Sequence, residues 1–207
     1  MTHRWKVVPA AATLALALGA ACAPARMAEA GASKAASVHV PPVEPRPEDV
    51  STLDGILAAF YEVISGPAGE PRQWSRDRTL YIPGVRFVAM TAAKDGTPLP
   101  EVTSHQEYVD LNDAGLVERG FFESEIHRVT RRFGNIAHVF STYEIRREKD
   151  GPVLGRGVNS LELYWDGSRW WIAAATWDTE RKDNPIPADL LPAPPQGAAG
   201  GGVPERP

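Results

Sequence analysis

From Phe121 onward the chain alternates apolar and polar residues with a period of two, and turn-forming pairs punctuate it at Gly134-Asn135, Asp150-Gly151 and Asp166-Gly167. Alternation of this length places successive side chains on opposite faces of extended chain, and tight glycine turns return each strand antiparallel to the last. The pattern predicts strands over Phe121–Phe133, Ile136–Arg147, Gly157–Trp165 and Arg169–Asp178. A meander of this kind must cover one face with something apolar. The upstream segment supplies it. Leu53, Ile56, Leu57, Phe60, Val63 and Ile64 recur at helical spacing after a capping-box-like Ser51/Asp54, and Gly66-Pro67 ends the pattern. A short helix is expected around Trp74, strands at Leu80–Ile82 and Val85–Met90, and a further helix opened by Ser104 and Glu107. Helices segregated on one face of an antiparallel sheet define an α+β fold.

Of the 17 aromatic residues, 16 lie between Phe60 and Trp177, so the core-forming part of the chain is about 51–184. Residues 1–30 read as an export signal: His3, Arg4 and Lys6 precede an apolar run from Val7 to Ala21 that is too short to span a bilayer comfortably. Cleavage after Ala30 or Ala25 fits the small-x-small rule. Gly19-Ala20-Ala21-Cys22 also resembles a bacterial lipoprotein signal, in which Cys22 is lipidated, although Leu18 stands one place too early. Either route places the protein outside the cytoplasm, in the bacterial periplasm or anchored to a membrane. Residues 31–50 read as a Pro/Ala-rich linker and 185–207 as a Pro/Gly-rich disordered tail. The 22 basic and 26 acidic residues leave a net charge of −4, which argues against a nucleic-acid scaffold. A single cysteine excludes a disulfide framework and any multi-cysteine zinc site, no His/Asp/Glu spacing suggests a metal, and no phosphate-binding loop or other cofactor signature is present.

A two-residue turn at Gly134-Asn135 pairs Arg128 with Ser141, Ile126 with Tyr143 and Ser124 with Ile145. On this register Glu123, Glu125, His127, Arg131, His138, Glu144 and Arg146 share the opposite, solvent-facing side. The second hairpin pairs Trp165 with Trp170, Leu163 with Ile172, Leu161 with Ala174 and Asn159 with Thr176. Its inner side turns polar toward Asn159, Thr176 and Asp178. Its outer side carries Tyr164, Trp171 and Trp177, apolar enough to suggest a homodimer contact.

At this point the chain resembles the nuclear-transport-factor-2-like superfamily, within which ketosteroid-isomerase-like and SnoaL-like proteins fall. The resemblance rests on the helix Leu53–Ser65, the Tyr81-Ile82-Pro83-Gly84-Val85-Arg86 turn, the hairpin from Glu125-Ile126-His127-Arg128 to Ser141-Thr142-Tyr143-Glu144, and the ending Asp166-Gly167-Ser168-Arg169-Trp170-Trp171-Ile172. It covers about 52–180 and implies a curved antiparallel sheet wrapped around N-terminal helices, a cone-shaped barrel with an inner cavity. Members include isomerases, dehydratases, cyclases and non-catalytic binding domains, so fold does not settle function.

Enzymes of that superfamily work by acid–base chemistry inside the cone. The inward candidates here are Asp178 as base, Tyr143 to polarise a carbonyl and Arg128 to hold an anion, with an Arg128–Asp178 ion pair as the structural counterpart. Tyr61, Trp74, Arg128, Ser141, Tyr143, Asn159, Thr176 and Asp178 are the expected ligand-binding set. Without a clear His–Asp cavity pair, the reading favours a non-catalytic domain that binds a small apolar molecule or a partner protein. An acid–base isomerase, dehydratase or cyclase is the alternative, and a dimeric envelope scaffold the third.

Overall fold

A computed structural model describes residues 36–193. Two short helices open the fold, α1 (Pro47–Val50) and α2 (Leu53–Glu62), followed by α3 (Trp74–Arg78), strands β1 (Arg86–Ala92) and β2 (Pro98–Ser104), and helix α4 (His105–Arg119). Then come the four long strands β3 (Phe122–Phe133), β4 (Ile136–Arg146), β5 (Gly155–Trp165) and β6 (Trp170–Thr179), and a single 3₁₀ turn at Ala188–Leu190. The architecture is α+β, as expected. The six strands form one open sheet in the order β2-β1-β6-β5-β4-β3. Every neighbouring pair is antiparallel except β1 and β6, which run parallel, so the sheet is mixed.

Local chemistry explains the helix boundaries. The cap of α2 is Thr52, one residue later than Ser51, with its hydroxyl accepting from the Gly55 N–H at 2.9 Å. Ser104 and Glu107 form the reciprocal capping box of α4. The apolar stripe of α2 (Ile56, Leu57, Phe60) buries against Val139, Leu161, Leu163, Ile172 and Ala175 of the sheet. Each such fully buried side chain contributes about 1.5–3 kcal/mol. A second group is aromatic: Phe87 stands edge-on to Tyr81 at 4.9 Å and to Tyr108 at 5.3 Å, and Tyr108 edge-on to Trp177 at 5.9 Å.

Four expectations change. First, β2 is an additional strand; Pro98 and Pro100 mask it in sequence, and both are tolerated because β2 is an edge strand. Leu80–Ile82 instead makes one isolated parallel bridge, Ile82 N–H to Ile172 C=O at 3.1 Å and Ile172 N–H to Leu80 C=O at 2.9 Å.

Second, part of the expected 31–50 linker belongs to the fold. Val40 and Val50 are buried core residues, and Asp49 is buried in a two-point ion pair with Arg76, both contacts at 2.7 Å. Gly55 allows this packing, since a Cβ there would lie 2.2 Å from the Glu48 carbonyl oxygen. Third, the start of the expected 185–207 tail lies against the sheet, where the Thr142 hydroxyl donates to the Leu190 carbonyl at 2.5 Å.

Fourth, both long hairpins carry a bulge. The β3–β4 register follows expectation from Phe133/Ile136 to His127/Thr142 and then shifts by one, so that Glu125 faces Tyr143 and Glu123 faces Ile145. The β5–β6 register follows from Trp165/Trp170 to Leu163/Ile172 and then shifts, so that Leu161 faces Ala175 and Asn159 faces Trp177. An extra residue in one strand reverses the facing of everything beyond it. Glu123, Glu125, Ala175 and Trp177 therefore turn inward, and Thr176 and Asp178 turn outward.

Candidate functional site

The bulge at Ile126 builds the site. A cleft of about 660 Å³ opens between α2, the loop Ser65–Gln73 and the start of β3. Leu57, Pro67 and Phe122 give it apolar walls, and Tyr61, Glu123, Glu125 and Arg128 are its polar residues nearest the sheet. Helix α2 delivers Tyr61 at its penultimate position, and β3 delivers the two glutamates at alternate positions on one face.

The polar groups form a directed chain. Asn159 Nδ2 donates to the Tyr61 hydroxyl at 3.1 Å, and that hydroxyl lies 2.6 Å from Ser141 Oγ. Ser141 Oγ donates to Glu125 Oε2. A serine hydroxyl has one proton, so Ser141 accepts the proton of Tyr61. Glu125 ends the chain, with its other oxygen 2.8 Å from Arg128 Nε; Arg128 also reaches exposed Asp54 at 2.8 Å. Asn159 and Ser141 are buried, so the network is shielded from water on its inner side.

Glu123 is placed differently. Its carboxyl receives one long contact, from Asn159 Nδ2 at 3.4 Å, and among the described residues no cation lies within ion-pair distance of it. Burial penalises its charged form and pushes its pKa up to about 7. Tyr61, Tyr81, Tyr108 and Tyr143 all have raised hydroxyl pKa values, chiefly through burial, with the Glu123 charge adding to each. All four phenols therefore stay protonated hydrogen-bond donors around neutral pH. Two neighbouring carboxyls thus sit in opposed surroundings, Glu125 beside an arginine and Glu123 desolvated without one.

The expected site residues divide accordingly. Tyr61 and Arg128 line the cleft, and Ser141 and Asn159 back it. Tyr143 is buried on the same face, its hydroxyl lying where a Cβ on Gly157 would come within 2.3 Å. Trp74 does not reach this cleft: it is a core residue whose indole N–H donates to Asp113 at 2.5 Å. Thr176 sits opposite Ser160 on the outer face. Asp178 is outward too, held by Arg181 at 2.6 Å and Asn184 at 3.1 Å, and Arg128 pairs with Glu125 and Asp54 rather than with it. The proposed dimer face loses Trp177, which packs on Phe87 and Tyr108, but keeps Tyr164 and Trp171. Cys22 and the leader lie outside the described residues.

Sequence reasoning missed Glu123 and Glu125, yet a signal existed. On the unbulged register Glu125 would stand directly opposite Glu144, a destabilising like-charge pair that the one-residue shift removes. It also missed a buried His–Asp pair, His105 Nε2 to Asp77 Oδ2 at 2.9 Å, on residues separated by β1 and β2. Among the described residues no group of acidic, histidine or cysteine side chains could hold a metal ion.

No family model and no curated protein matches the chain. Solved structures do resemble it. One is a cystatin-like-fold protein of unknown function from Nostoc punctiforme, at 7% identity and TM-score 0.47, covering 63% of this chain and 90% of that one. Another is an NTF-2-like protein of unknown function from Silicibacter pomeroyi, at 13% identity and TM-score 0.39, covering 63% and 94%. A third is a candidate dehydratase of the NTF2-like family from Streptomyces avermitilis, at 16% identity and TM-score 0.45, covering 64% and 96%.

Proposed function

We propose that the cleft between α2 and β3 binds a small, largely apolar molecule by its polar group, and that Glu123 is the residue that exchanges a proton with it. The observation that carries this reading is the placement of Glu123 beside Tyr61 and Asn159, with no ion-pair partner among the described residues. A carboxyl titrating near pH 7 donates a hydrogen bond below that pH and accepts one above it. The volume of about 660 Å³ suits a small molecule, and the apolar walls would take its hydrocarbon part. Export through the leader, with or without lipid on Cys22, is part of the proposal; Cys22→Ala should release the protein from membranes, and a wild type that is already free of membranes ends the lipid anchor.

The test is native mass spectrometry of the full chain purified from its host. A small-molecule adduct is expected on the wild type and not on Ala58→Trp, because Ala58 is an exposed lining residue whose enlargement fills the cleft while every residue of the hydrogen-bonded chain is kept. A wild type without adduct, or an Ala58→Trp protein with equal occupancy, overturns the reading. The opposed surroundings of Glu123 and Glu125 favour a second one, acid–base catalysis on a carbonyl or hydroxyl compound, with Glu123 moving the proton.

A further inference from the structure

A second cleft, of about 470 Å³, lies apart from the first, between the segment Pro42–Pro45, the end of α3, the turn after Tyr81 and the start of β6. Pro42, Val43, Tyr81, Ile82 and Trp171 make its walls apolar. Its charged lining residues are Arg78 and Arg169, and no aspartate or glutamate lines it.

Among the described residues both guanidinium groups donate their hydrogen bonds to neutral acceptors. Arg78 donates to the Val40 carbonyl at 3.2 Å and to Gln106 Oε1 at 2.7 Å. Arg169 donates to the Trp170 carbonyl at 3.1 Å and to the Thr79 carbonyl, and its plane stacks on Trp171 at 3.7 Å. Among the described residues neither has a carboxylate within ion-pair distance. Asp166, whose charge acts on Arg169, is occupied by Ser168 and the Trp171 indole N–H. Partial burial lowers the Arg169 pKa, more than the nearby Asp166 charge raises it. At the inner end His105 spends Nε2 on Asp77, while its buried Nδ1 has no partner.

Fixed, partly desolvated arginines facing apolar walls complement an anion with a hydrocarbon body, since a guanidinium still has N–H donors in the fork geometry that a carboxylate accepts. We infer that this cleft binds a small organic monocarboxylate, its carboxylate taken by Arg78 and Arg169 and its apolar body lying along Tyr81, Ile82 and Trp171. This site is independent of the cleft at Glu123.

Titration calorimetry of the full chain tests it with three probes: octanoate, 1-octanol and inorganic phosphate. Octanoate should bind at least tenfold more tightly than either of the others. Arg78→Gln and Arg169→Gln should each weaken it about tenfold, the effect of losing a charge-assisted hydrogen bond. Arg169→Lys, which keeps the charge but not the fork, should fall between, and together with Arg78→Gln it decides the matter if Arg169→Gln does not fold. Octanol binding as well as octanoate reduces the cleft to a greasy surface and overturns the proposal. So do phosphate binding equally well, no binding of octanoate, and arginine variants of unchanged affinity. Glu123→Gln weakening octanoate as much as the arginine variants would place the acid in the other cleft, with the same consequence.

Discussion

At the scale of the residue, Glu123 sets the pH behaviour of the molecule. Its folded-state pKa of about 7 stands above the ordinary glutamate value near 4.3, so the fold binds this proton more tightly than the unfolded chain does. The stability it contributes is fully present below about pH 4 and is lost as pH rises through 7, where the desolvated carboxylate must ionise. Glu123→Gln keeps the acceptor that Asn159 uses and cannot ionise. It should match the wild type in thermal stability at pH 5 and exceed it at pH 8.5 by on the order of 2 kcal/mol, read from melting curves across that range. Curves that stay parallel from pH 5 to 8.5 would show that Glu123 carries no such burden. Tyr61 gives a companion result. Tyr61→Phe removes the middle of the chain from Asn159 to Glu125 and leaves a buried donor without its acceptor, at a cost of about 1–3 kcal/mol in urea denaturation.

Two strands, each with one extra residue, account for most of what the sequence conceals. Strand positions, the turn at Gly134-Asn135, the capping box at Ser104 and the registers nearest each turn follow from alternation and turn chemistry. Facing is cumulative along a strand, so a bulge inverts every residue beyond it. Ile126 inverts Glu123 and Glu125 into the site, and the break opposite Glu162/Leu163 inverts Asp178 out of it. The aromatic surplus read on the outer face of β6 was itself the trace of that second bulge: Trp177 is absent from that face because it completes the cluster with Phe87 and Tyr108. Tyr61, Ser141, Asn159 and Arg128 were legible because they lie in α2, on strands β4 and β5 that carry no extra residue, or, for Arg128, on the turn-proximal side of the shift in β3. The pairing of β5 with its neighbours also depends on an absent side chain. A Cβ at Gly157 would lie 2.3 Å from the Tyr143 hydroxyl and 2.6 Å from the Asp178 carbonyl. Gly157→Ala should therefore cost about 1–3 kcal/mol, and Tyr143→Phe in the same chain should recover only part of it, since the ring carbon Cζ at 2.5 Å and the backbone oxygen remain; a double-mutant cycle on urea midpoints measures the share.

For the molecule as a whole, the aromatic census draws the lower boundary at residue 51, whereas the physical boundary lies further upstream. Composition marks where the aromatics are, and residues 36–50 hold no Phe, Tyr or Trp; they join the fold through one buried charge, a few valines and hydrogen bonds linking Ser37, Val38 and Val40 with Asp110, Gln106 and Arg78. Asp49 is 3% exposed and meets Arg76, which also holds Glu62 at 2.9 Å, so the segment is fastened to α2 and α3 together. Breaking a buried pair from one side strands the other charge, and this costs about 3–5 kcal/mol. Asp49→Asn in the full chain should lose stability of that order while keeping its secondary structure, because Arg76 would retain Glu62 alone. A chain beginning at residue 51 should lose more, since Val40 and Val50 go with Asp49, and a chain beginning at residue 36 should match the full-length protein. Urea denaturation followed by tryptophan fluorescence orders the four proteins. If the chain starting at 51 unfolds at the same urea concentration as the one starting at 36, residues 36–50 are a tether lying on the surface, and the domain begins where its aromatics do.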